Sequence, residues 1–242
     1  MGGGLLLVGT AVSASGCSRP AQTAPVAAQA PAAPSTNATQ PAPADAGPSA
    51  ADRPPAALVS VGEAAEGLFD AAHTSKWPTA TEQLRALNDA TSQLPPTLPK
   101  ADLVAQLRSR IDDVRQSTAA RNRVETMDFA NSITRIVADL SAEFQTDVPI
   151  AVVMLDYYGR QLELGIVTGR QSTLNRATAD LRQQWDRLEP TIEQRGHVDE
   201  ARRFTDIVVQ LEGARKSADF AAPTRAELDA VDRLEMIFRP AK

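Results

Sequence analysis

From Leu58 onward, apolar residues recur every three or four positions, the spacing of one face of an α-helix. Ser60-x-x-Glu63 has the form of a capping box opening a first helix, which runs through Leu68 and Phe69 to about His73. Ser75-Lys76-Trp77-Pro78 breaks the pattern, because proline disfavours helix at the preceding residue. Thr79-x-x-Glu82 repeats the capping signal. Trp77, Ala80, Leu84, Leu87 and Leu94 then form a second seam, closed by Pro95-Pro96 and Pro99.

Two further seams share Ala101–Phe144. Leu103, Leu107, Ile111 and Val114 make one, and Ala130, Ile133, Val137, Leu140 and Phe144 the other; their phase is lost near Ala119–Arg123, where a turn or kink is expected. Beyond Pro149, Ile150–Val167 is apolar almost all round, as in a central buried helix, although Ile150–Val153 alone would also suit a strand. Gln171–Arg195, with Gly196 as its stop, and Asp199–Ala218 continue the helical pattern. A last helix is expected from Pro223 and the box Thr224-x-x-Glu227. The pattern is all-α: a bundle of about six helices over 58–242. Ala80–Arg85 echoes Ala177–Arg182, and Asp128-Phe129-Ala130 echoes Asp219-Phe220-Ala221, in the same order. Two similar three-helix halves would account for that echo, as would the general likeness of Ala-rich amphipathic helices.

Ahead of this domain the composition changes. Nine of the 17 prolines fall between Pro20 and Pro55, among Ala, Ser, Thr and Gln. Such a stretch cannot bury enough apolar surface to offset chain entropy, so 17–57 is expected to be a disordered tether. Gly2–Gly16 carries no charge. Its Leu5-Leu6-Leu7-Val8 core has the length of a signal-peptide apolar region and is too short to span a bilayer. Ala14-Ser15-Gly16-Cys17 follows, and Cys17 is the chain's one cysteine.

Small residues directly before a cysteine, after an apolar run and ahead of a Pro-rich linker, resemble the lipobox of bacterial lipoproteins. The resemblance covers the first 17 residues. Ala14 stands where the pattern has Leu, and Met1–Gly4 lacks its Lys or Arg. It implies a signal peptide over 1–16, acylation of Cys17, and a domain held at the cell envelope, facing the periplasm or the exterior. Each buried methylene of the acyl chains would add ~0.8 kcal/mol of anchoring.

The net charge of −5 is spread among mixed signs with no basic stripe, which disfavours a nucleic-acid partner. No phosphate-binding glycine loop, nucleophile elbow, haem-attachment run or metal-ligand spacing is present, so the sequence assigns no catalytic residue, no metal and no cofactor. His73 and His197 each fall near an expected helix end. The candidate site is in Leu155–Glu163, where Asp156, Arg160 and Glu163 share a stripe of an otherwise apolar helix, beside Tyr157. Asp156 and Arg160 read as a buried pair that fixes packing, or with Tyr157 as a polar ligand pocket. Gly159 beside them would admit a second helix at close range. These features point to a tethered helical module that engages a protein partner or supports an envelope assembly. The alternative is a periplasmic bundle that binds a small ligand or metal.

If Cys17 is the acylation site, Cys17→Ala will move the protein from the membrane fraction to the soluble fraction without changing its melting temperature. Equal partitioning of the two proteins would remove the anchor.

Overall fold

The computed structural model describes residues 52–239; the expected signal segment, Cys17 and most of the expected tether lie outside them. The described residues are helical throughout, with eight helices and no strand: α1 Ala56–His73, α2 Trp77–Ser92, α3 Ala101–Ala119, α4 Arg123–Ser141, α5 Ile150–Thr168, α6 Gln171–Gln194, α7 Val198–Gly213 and α8 Ser217–Phe238. The expectation of about six is corrected to eight.

Two apolar cores divide these helices. Leu58, Phe69, Leu87, Leu107, Met127, Ile133 and Leu140 lie in the first, built by α1–α4. Leu155, Trp185, Phe204, Phe220 and Leu234 lie in the second, built by α5–α8. Each core thus takes four helices rather than three. Within the first, α1 packs on α2 and α4; within the second, α5 packs on α6 and α8. The two sequence echoes fall on helices of matching order, α2 with α6 and α4 with α8. Helix α5 serves both cores, since Leu164 packs into the first while Val152, Leu155 and Leu162 pack into the second. Its nearly continuous apolar surface follows from having neighbours on most sides.

Four helices end alike. After α5 and α6 the chain turns through Gly169 (φ 65°) and Gly196 (φ 87°). Arg170 N then donates to Gly165 O at 3.0 Å, and His197 N to Ile192 O at 3.2 Å, which satisfies terminal carbonyls. After α1 and α3 the same left-handed position is held by Ser75 and Arg121. Lys76 N donates to Ala71 O at 2.8 Å, and Asn122 N to Ser117 O at 2.9 Å. The turn at Arg121 is the loss of phase near Ala119–Arg123. Asn122 caps the next helix by accepting from Glu125 N at 3.3 Å.

All three expected caps lie inside helices. Thr79 is the third residue of α2, which begins at Trp77. Ser60 is in the second turn of α1, which begins four residues earlier at Ala56. Thr224 and Glu227 are buried in α8, which begins at Ser217 and carries Pro223 within it. The start of α8 is set by Asp219, whose Oδ2 accepts from Lys216 N at 2.9 Å and Arg215 N at 3.2 Å. Both backbone donors precede the first full turn, where a carboxylate also meets the positive end of the helix dipole.

Candidate functional site

Arg160 sits where α5 meets α1 and α8. Its Nε donates to Asp156 Oδ2 at 2.7 Å, one turn back on α5, and its Nη1 donates to Asp70 Oδ1 on α1 at 2.6 Å. The guanidinium carbon also lies 5.1 Å from the ring centroid of Phe69, on the same helix as Asp70. The Arg160 side chain is 11% exposed and that of Asp156 17%. The i,i+4 spacing therefore does form an ion pair, largely shut from water, with Asp70 extending it to the protein surface.

Carboxylates outnumber cations here. Besides Asp156 and Asp70, Arg160 influences Glu66 of α1, Glu163 of α5 and Glu227 of α8. They cannot all ionise in a poorly hydrated space around a single cation. Burial is the largest influence on Glu66, with Asp156 adding to it, and the carboxyl is raised to about 7. Burial likewise raises Glu163 to about 7, against the pull of Arg160. Glu235 on α8 is raised by burial despite its contact with Arg239. Asp156 is raised by burial as well, with Arg160 opposing. Glu163 Oε2 lies 3.5 Å from His73 Nδ1, the last residue of α1. Burial and the positive charge of Arg123 hold His73 below its ordinary value.

Glu227 is the extreme case. It is wholly buried, and neither of its oxygens has a hydrogen-bond partner among the described residues. Burial raises it well above the ordinary carboxylate range, with Asp156 and Glu163 adding to the rise. The carboxyl fits because α5 has no side chain opposite it. A Cβ on Gly159 would run into Glu227 Oε2 and lie 2.6 Å from Leu228 Cδ2. The close approach expected at Gly159 is thus that of α8, and what it admits is an acid.

Tyr157 does not join this cluster. Its backbone oxygen accepts from Asn131 Nδ2 at 3.2 Å, and its ring lies 5.6 Å from the Arg135 guanidinium, both on α4. One residue along a helix is a rotation of about 100°, enough to turn Tyr157 away from the stripe of Asp156 and Arg160. Sequence spacing brought together Asp156, Arg160 and Glu163, and missed Glu66, Asp70, Glu227 and Glu235. Thr224-x-x-Glu227 carried a signal that pointed elsewhere, since the same pattern serves a helix start. Among the described residues no group of three or more His, Cys, Asp or Glu side chains could hold a metal ion.

A groove of about 400 Å³ opens at one end of the bundle, between α1, α4, the start of α5 and the end of α8. Val59, Val137, Ile150 and Val153 supply apolar wall, and Glu66 connects the groove to the acidic cluster. Arg53 and Pro54, just ahead of α1, lie at its edge. Compared with protein-family models, with curated proteins and with solved structures, the chain matches none.

Two predictions follow from the cluster. Arg160→Ala leaves Asp156 among other acids without its cation, and breaking such a buried pair costs ~3–5 kcal/mol. Adding Asp156→Asn should recover part of that loss, which a urea-denaturation cycle of the two single variants and the double variant will read. Small, additive losses would show that the pair does not hold the helices together.

The second concerns pH. Glu66 and Glu163 bind protons more tightly folded than unfolded, so their contribution to stability is full below about 4.5 and is lost as pH rises through about 7. The domain should melt several degrees higher at pH 5 than at pH 8. Glu227→Gln removes the most strongly disfavoured charge and should raise the pH 8 melting temperature toward the pH 5 value. A melting temperature that climbs from pH 5 to pH 8 would contradict this account.

Proposed function

We propose that this chain is a membrane-tethered, extracytoplasmic helical module that docks a partner protein in the groove between α1, α4, α5 and α8. The observation that carries the reading is the contrast between the two polar features of this end of the bundle. The Arg160–Asp156 pair at the centre of the charged cluster is closed, with the two side chains 11% and 17% exposed. The groove beside it is open and walled by valine and isoleucine, and Val59 at its mouth is 44% exposed. A surface that excludes water from apolar side chains only when something covers it gains free energy on docking, at roughly 25 cal/mol per Å² of apolar area. The closed pair supports docking over a small-ligand pocket at Asp156 and Arg160.

The anchor rests on the lipobox-like segment, and among the described residues no helix is long and apolar enough to cross a membrane. An acyl anchor at Cys17 would hold the module near the lipid while the Pro/Ala stretch sets its reach. Arg53 and Pro54, at the edge of the groove, immediately precede α1.

A photo-crosslinking amino acid at Val59 or Val153 of the full-length protein, in the cells that make it, should give one discrete adduct identified by mass spectrometry. The same probe at Arg108, exposed on α3, should give none. Adducts of equal yield from all three positions, or none from the groove, would overturn the docking role.

A further inference from the structure

We infer that the groove takes a segment of a partner protein that presents one lysine or arginine between apolar side chains. This rests on the docking reading above and specifies what docks. The walls fix half of the requirement, because Val59, Val137, Ile150 and Val153 offer nothing to a polar chain.

The charges fix the other half. Two of the acids that line the groove are paired within the domain: Asp147 lies 4.0 Å from Arg53, and Glu235 2.6 Å from Arg239. Both lining arginines are used in those pairs. Glu63 and Glu66, one turn apart on α1, have no ion pair or hydrogen bond among the described residues, so neither acid on the α1 side of the groove is paired. The charged groups around Glu66, on its own helix and on its neighbours, do not relieve it. Asp70 lies below it on α1, Asp156 and Arg160 face it from α5, and Glu235 from α8. Arg160, the one cation in that set, is already shared between Asp156 and Asp70.

A lysine or arginine suits this geometry because its stem is apolar and its head is charged. The stem would lie along the valines and the head would reach the Glu66 carboxylate. An acidic segment would meet like charge, and a neutral one would cover the half-buried Glu66 carboxyl without giving it a partner. Since Glu66 is raised to about 7 when the groove is open, pairing with a cation would lower it and release a proton near neutral pH.

The test uses the full chain in detergent and three blocked pentapeptides of the form Ala-Val-X-Val-Ala, with X lysine, glutamine or glutamate. In an NMR titration at pH 7 the lysine peptide should shift the amide signals of Val59, Glu66 and Val153, and bind about tenfold more tightly than the glutamine peptide. The glutamate peptide should not bind. Calorimetry in two buffers of different ionisation enthalpy should show proton release with the lysine peptide alone. Glu66→Gln should abolish the lysine preference and the proton release while the helical circular dichroism is retained. Equal affinity of the three peptides, binding by none, or a lysine preference that survives Glu66→Gln would overturn the inference. A groove adduct at Val59 and Val153 together with charge-blind peptides would sink this specificity and leave docking standing. Loss of the adduct would sink docking itself. Self-association of the chain through the groove without added peptide would also overturn it, by naming a second copy as the occupant.

Discussion

One guanidinium organises the junction of α1, α5 and α8. Arg160 spends two of its donors on Asp156 and Asp70, and its face on Phe69. Asp156 fixes its direction along α5, whereas Asp70 and Phe69 tie that helix to α1. A lysine could not reproduce this, because a single ammonium cannot present a planar fork to two carboxylates while stacking on a ring. The arrangement constrains what can surround it. Burial raises the carboxyls of Glu66, Glu163 and Glu227, and the charge of Arg160, already shared between Asp156 and Asp70, does not offset it.

The junction bears on how the two cores meet. Helix α5 is common to both, and its polar stripe faces α1 of the first core and α8 of the second. An apolar seam there would tolerate sliding by a turn, because one leucine replaces another at little cost. A stripe that needs Arg160 opposite Asp70, and Gly159 opposite Glu227, accepts one register only. Fixing register is the best-attested use of buried polar groups, and it is obtained at the expense of stability.

What the sequence made legible divides along the same line. Helical periodicity located all the main seams, and Gly196 marked its helix end because only glycine adopts that turn freely. The ends at Ser75 and Arg121 use the same turn with side chains that carry no such signal, so near Arg121 a kink within one helix and a turn between two look alike in the sequence. The i,i+4 rule found Asp156 and Arg160 because both lie on one helix. Asp70, Glu66 and Glu227 could not be found that way, since their proximity depends on how three helices pack. Glu227 illustrates the difficulty: in sequence it has the form of a capping glutamate, and only Pro223 lying inside α8, six residues past its start, shows that no helix begins there.

The groove and the cluster meet at one acid. Glu66 belongs to both, lining the open groove on one side and facing Asp156 and Arg160 on the other. Burial, with Asp156 adding to it, raises its carboxyl to about 7 against the pull of Arg160. A cation brought from outside would change that, and would feed back on the interior. With Glu66 paired, Arg160 would be drawn less toward α1's inner acid and more fully committed to Asp156 on its own helix and to Asp70, the contact that holds α5 against α1. Docking at the groove should therefore tighten the junction of the two cores, and by thermodynamic reciprocity a tighter junction should favour docking.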